Sequence, residues 1–229
     1  MNYRSPSERG FTLIEILVVV AILGVLMGLV TLLIPKSQQE QAKFITRTRI
    51  TELDTAVERY LADPALRRLP PMALDSLAKA SKYYEGMAFA QPNGINECCE
   101  VLFIALRHPD LSARFDPSRL PGENPIGNTD EDMFNKAPPG ANDPDAREIL
   151  DAWGNPIIYI DKNHYDKPVK IRLSDGTDIE VVAVRKPDGM YYNADKFQLI
   201  SLGPNQAQDD ATGDLTKYDD ICNFTVTGK

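Results

Sequence analysis

Apolar positions in this chain first form one block and then become periodic. Residues 11–34 are a run of 24 whose only charge is Glu15. At about 1.5 Å per residue such a helix is roughly 36 Å long, enough to cross a hydrocarbon layer of about 30 Å. Pro35 follows, where it would kink or locally melt a helix. Beyond it, Ala42, Ile45, Leu53, Ala56, Val57 and Tyr60 recur at spacings near three, four or eight, with Lys, Arg, Glu and Gln between them. That pattern predicts an amphipathic continuation of the helix over 35–61, stopped by Asp63-Pro64.

Residues 62–148 are of mixed character. Two helices are expected near 72–84 and 95–107, the second with Cys98, Val101, Leu102, Ala105 and Leu106 on one face. Residues 117–144 hold six Pro and three Gly, which predicts a long irregular loop. From 149 the pattern is that of strands. The turn Gly154-Asn155-Pro156 opens a strand at 157–160, Ser174-Asp175-Gly176-Thr177 joins strands at 170–173 and 179–184, and 197–202 reads as another. The expected fold class is α+β: a long N-terminal helix, transmembrane and then amphipathic, packed on a small antiparallel sheet in a head over 149–229. Trp153, the only tryptophan, is expected to anchor the core.

Composition changes this picture in two places. The 229 residues carry 33 acidic and 25 basic side chains, a net charge of −8, which argues against a general nucleic-acid binder. The mean hydropathy of −0.29 resembles that of a soluble protein and hides the apolar block. Cysteines 98, 99 and 222 are odd in number. Pairing of Cys98 or Cys99 with Cys222 and three reduced buried thiols both stay open. Nothing spaces His and Cys for zinc. His108 and His164 are the only histidines, and there is no Gly-x-Ser-x-Gly, P-loop or His-Glu-x-x-His, so no enzyme is expected.

The first ten residues are polar. The apolar block after them is too long for a cleaved secretory signal and ends without a small-x-small site; the plain reading is a signal anchor. Glu15 does not suit a plain anchor, because a carboxylate in lipid costs about 2.5–3.5 kcal/mol near the helix centre. If the chain is cut after Gly10, Phe11 bears an α-amine with a pKa near 8, largely cationic at neutral pH. The amine of one subunit would then neutralise Glu15 of its neighbour. Flanking charge does not set the orientation, since Arg4 and Arg9 precede the run while Lys36, Lys43, Arg47 and Arg49 follow it.

The stretch GFTLIEILVVVAILGVL, beginning at Gly10, resembles the class III signal of type IV pilins and pseudopilins. The resemblance implies cleavage after Gly10 by a prepilin peptidase, N-methylation of Phe11, and assembly guided by Glu15. It implies a pilin-like fold in which the second half of the helix packs on the head and the first becomes filament core. DAWGNPIIY from 151 and SLGPNQAQDDATGDLTKYDDICNF from 201 resemble the C-terminal signature of the major pseudopilin of type II secretion systems. That family's acidic loop binds one calcium ion. Carried over, Leu202 offers a carbonyl, Asn205, Asp219 and Asp220 offer side-chain oxygens, and Ser201 and Asp214 are weaker candidates. Asn205 stands where the family has Asp, and the acid spacing at 218–221 is shifted, so Asp209, Asp210 or Asp214 could substitute. On composition alone the loop, with five acids and Lys217 over 205–220, reads as a solvated acidic loop and lacks EF-hand spacing.

The expectation is a structural subunit of the type II secretion pseudopilus, single-pass in the inner membrane with its head in the periplasm. Its partners would be copies of itself, other pseudopilins, the prepilin peptidase and the inner-membrane assembly platform, with no nucleic acid. A type IV pilus or competence pilin is one alternative. A membrane-tethered calcium-dependent enzyme is another, which a pocket joining His108 or His164 to an acid would favour. The family's head is shorter, so residues 64–148 look like an insertion without an assigned role.

Overall fold

The computed structural model describes residues 11–213 and 218–226, except for the side chains of 29–35. It divides into two units, residues 1–41 and 42–229.

The first unit contains the beginning of helix α1 (Leu13–Ala62). Thr12 is its N-cap and Glu15 the third helical residue. The Glu15 carboxylate accepts from the Thr12 amide at 2.7 Å and the Thr12 hydroxyl at 2.8 Å, while the Glu15 amide donates to that hydroxyl at 3.3 Å. This is a capping box, two backbone donors satisfied reciprocally. The helical backbone runs through Pro35, so the melting expected there does not occur. One lost hydrogen bond does not outweigh several helical turns on either side. The large apolar side chains over 11–27 are 49–83% exposed. Among the described residues no helix is long and apolar enough to cross a membrane. The apolar run read from the sequence also includes 29–34, whose side chains lie outside the description.

In the second unit the helical period governs burial. Ile50, Leu53, Val57 and Tyr60 of α1 enter the core, as their spacing of three and four requires. Thr46 and Arg49 are buried beside them. The expected helix at 72–84 is shorter, α2 (Leu74–Ala80), because Ser81 turns extended and a 3-10 turn, Lys82–Tyr84, follows. The next, α3 (Glu97–Ala105), starts after Asn96, whose left-handed backbone (φ 54°) breaks the run at 95.

The strands are β1 (Ile126–Gly127), β2 (Glu148–Ile149), β3 (Ile158–Asp161), β4 (Val169–Arg172), β5 (Asp178–Val181), β6 (Phe197–Ser201) and β7 (Ile221–Cys222). They form three small antiparallel sheets, ordered β1-β2, β3-β6-β7 and β4-β5. The β4-β5 hairpin turns where expected, with Gly176 at φ 86°, a conformation that favours glycine. Central β6 is buried along its whole length. The Pro-rich stretch 117–144 is irregular, as expected, but supplies β1 and the buried Leu120 and Phe134. Trp153 is partly buried against the core. All three cysteines are free thiols, Cys98 and Cys99 buried and Cys222 only partly so.

Candidate functional site

Two sites follow from the sequence: the N-terminal processing region and the C-terminal acidic loop. In the first, Gly10 lies outside the described residues. Phe11 is 83% exposed. Glu15 has a local role as the partner of Thr12, which the sequence pattern Thr-x-x-Glu also signals.

The second site is held by the turn at 151–156. Asp151 is buried and its carboxylate accepts from the amides of Trp153 at 2.9 Å and Asn155 at 3.0 Å, and from the Ser201 hydroxyl at 2.7 Å. Burial pushes Asp151 up to about 6, against the hydrogen bond from Ser201. Ser201 at the end of β6 therefore braces the turn, donating to Asp151 and accepting from the Gly203 amide at 3.4 Å. Leu202 is buried next in sequence. Gly203 has φ 67°, and a Cβ there would come within 2.5 Å of the Asp219 carbonyl oxygen. The chain needs glycine at this close crossing.

Beyond that crossing the acids converge. One carboxylate oxygen from each of Asp209, Asp219 and Asp220 lies within 4.8 Å of the others. The loop is tied by its own amides: Asp209 accepts from the Asp219 amide at 2.6 Å, and Asp220 from the Asp209 amide at 3.0 Å. Asn205 donates its side-chain amide to Asp209 at 3.1 Å and accepts from the Ala207 amide at 2.8 Å. Asp219 Oδ1 and Asp220 Oδ1 are buried without a hydrogen-bond partner. Burial pushes Asp220 up to about 8, with the charges of Asp209 and Asp219 adding to it. Burial also raises Asp219, which Asp209 reinforces and Lys43 opposes.

Of the residues expected as ligands, Asp219 and Asp220 are in the cluster. Asn205 touches it through Asp209, with its amide oxygen already engaged by Ala207. Asp210 faces outward, accepting from the Thr212 amide and hydroxyl. Asp214 lies outside the described residues. Asp209 is the third member, and in sequence it was one acid among several alternatives. Three carboxylates with two orphaned buried oxygens fit a hard cation such as calcium, which takes oxygen ligands.

The histidines are placed differently. His108 packs against Tyr83 and Tyr84 with its Nε2 at 2.8 Å from Ser81 Oγ. His164 Nδ1 is 3.0 Å from Asp161 Oδ1, and both line an open groove of about 580 Å³. That Asp161 oxygen also accepts from the Asn163 amide at 2.7 Å, capping the turn that carries His164. The turn places Asp161 beside His164, and the groove thereby joins a histidine to an acid, the feature named above as favouring a membrane-tethered enzyme.

A family model described as the prokaryotic N-terminal methylation motif matches residues 5–31. No curated protein and no solved structure matches the chain. The matched segment holds Gly10, Phe11 and Glu15, and the motif supports a type IV pilin-like protein that is processed by prepilin peptidase and polymerises.

Proposed function

We propose that this chain is the major structural subunit of a type II secretion pseudopilus. Prepilin peptidase would cut after Gly10 and methylate Phe11. The apolar helix would hold the subunit in the inner membrane, head in the periplasm, until Glu15 meets the Phe11 amine of a neighbouring copy. Other pseudopilins and the inner-membrane platform would be its partners. The observation that carries the pseudopilin reading is the acid cluster beneath Gly203, in the stretch that resembles the pseudopilin signature. Asp209, Asp219 and Asp220 would hold calcium there, supplying the countercharge that the orphaned oxygens lack and fixing β7 to the end of β6. The chain is then structural and not an enzyme.

The test is complementation. Expressed in a secretion-competent bacterium lacking its own major pseudopilin, together with that system's peptidase, the chain should lose residues 1–10 and restore export. Its new N-terminus should be a methylated Phe11 by mass spectrometry. Cleavage with filaments but no export would favour a type IV pilus or competence pilin. An uncleaved chain would remove the filament reading.

A further inference from the structure

A second group of acids converges inside the head. Glu100 comes from α3, Asp130 and Asp132 from the loop after β1, and Glu148 from β2. Glu100 and Glu148 are fully buried, and Asp130 and Asp132 are 8% exposed. One oxygen from each of Glu100, Asp130 and Glu148 lies within 4.8 Å of the others, and Asp132 abuts Glu100.

The polar groups around the cluster are unevenly matched. Glu148 accepts from the Asn96 side-chain amide at 2.7 Å and the Thr129 amide at 3.2 Å. Asp130 accepts from the Asn93 side-chain amide at 2.8 Å. Both carboxylate oxygens of Glu100, both of Asp132, Oδ1 of Asp130 and Oδ1 of Asn128 are buried and receive no hydrogen bond from an N–H or hydroxyl donor, while Glu100 and Asp132 face each other closely enough to share a proton. Among the described residues no salt bridge reaches any of the four acids. The Arg172 guanidinium, which feels Asp130 at longer range, is bound to Asp178 at 2.6 and 2.8 Å.

Unpaired buried charge is strongly destabilising, so the group must take up either protons or a cation. Burial and the facing Asp132 push Glu100 up to about 12, so without a cation it holds a proton. Two features favour a cation. The donor set is all oxygen and rich in carboxylate, which selects a hard divalent ion. Asn128, Asp130 and Asp132 have the alternate spacing of the first three ligands of an EF-hand loop. Met133 and Pro139 occupy the places of that loop's glycine and final glutamate. Glu100 and Glu148 would supply the missing carboxylates from other elements. Calcium suits so crowded a cage better than magnesium, which retains several waters.

We propose that Glu100, Asp130, Asp132 and Glu148, with the Asn128 amide oxygen, form a buried calcium site that pins α3, the loop after β1 and β2 together. It would give the region before 149 a role, as a cross-linked part of the head. The proposal does not depend on the C-terminal site or on the filament reading.

The test counts calcium on the full chain in detergent, stripped with chelator and re-equilibrated, by equilibrium dialysis and atomic emission. Asp209→Asn/Asp219→Asn/Asp220→Asn should retain one calcium per chain, and adding Glu100→Gln should weaken its binding roughly 10–100-fold. If Glu100→Gln does not fold, Asp132→Asn at the rim should weaken it likewise. A folded triple variant that binds no calcium would overturn the proposal. So would unchanged calcium affinity with a higher Tm in Glu100→Gln, the signature of a shared proton. The converse variant, Glu100→Gln/Asp132→Asn, reports separately on the C-terminal site.

Discussion

The beginning of α1 and the head place their side chains in opposite environments. Over residues 11–27 the helix exposes Phe, Leu, Ile, Val and Met, whereas the second unit, head and packed part of α1 together, buries Arg49, Glu100, Glu148 and Asp151. Both arrangements are unfavourable unless something compensates them. In the head some of the compensation is visible. Arg49 donates to the carbonyls of Pro121, Glu123, Leu150 and Asp151 at 2.8–2.9 Å, so four of the five N–H donors of the buried guanidinium are engaged there. Among the described residues the apolar helix has no such answer. The comparison separates what folding completes from what assembly, membrane or cation must complete.

Glu15 offers the sharpest way to break it. In the single chain its carboxylate is satisfied by Thr12, as a neutral glutamine also would be. Glu15→Gln therefore keeps the cap and removes the charge. If the neighbour's amine is the true partner, Glu15→Gln should abolish filaments as completely as Glu15→Leu, with cleavage after Gly10 unchanged. Filaments of normal yield from Glu15→Gln would reduce Glu15 to a helix cap. Electron microscopy and pelleting of sheared filaments decide between these.

Next in size is Arg49→Ala. It strips four carbonyl acceptors of their donor inside the core, a loss of about 3–5 kcal/mol. Arg49→Lys should cost less but not be neutral, because one ammonium cannot reproduce the planar fork. Chemical denaturation of the full chain in detergent measures both. Processing at Gly10 should be unaffected, which keeps the two regions separable.

Calcium removal comes third. At a calcium concentration a hundredfold above Kd, each occupied site adds about 2.7 kcal/mol to the folded state. Chelation should lower the Tm of the head, and Asp219→Asn should remove part of that shift. A Tm indifferent to chelator would mean that the C-terminal site is not a calcium site.

The periodic parts of this molecule were readable in sequence because local chemistry decides them. Leu53, Val57 and Tyr60 repeat at helical spacing, Asp175-Gly176 needs a turn, and Gly154-Asn155-Pro156 opens β3. The shortening of α2 was not, because Ser81 turns extended to bond Tyr83 and His108, and those are tertiary choices. β7 is two residues long, too short to show alternation. Arg49 looked like one more charge on a polar helix face; the carbonyls that hold it come from loops about 70 to 100 residues away. The C-terminal acids were visible as a group but not as a selection, since Asp209 and Asp210 are adjacent and only one turns inward. The second acid cluster was hidden because its members come from three segments, each ordinary alone.

The smallest effect is expected at Lys196, and it tests whether burial or charge is what matters along the head's share of α1. Lys196 Nζ approaches Glu58 Oε1 at 2.6 Å, as close as any contact of Arg49. Both side chains are well exposed, 56% and 38%. Water solvates either charge when its partner is lost, so no desolvated group is left behind. Lys196→Ala should change stability by roughly 0.2–1 kcal/mol, and by less as salt is raised. Arg49→Ala should be insensitive to salt, because the guanidinium itself is buried and its acceptors are neutral carbonyls. A Lys196→Ala loss comparable to that of Arg49→Ala would mean that the ion pair, rather than the buried network, fastens the helix to the head.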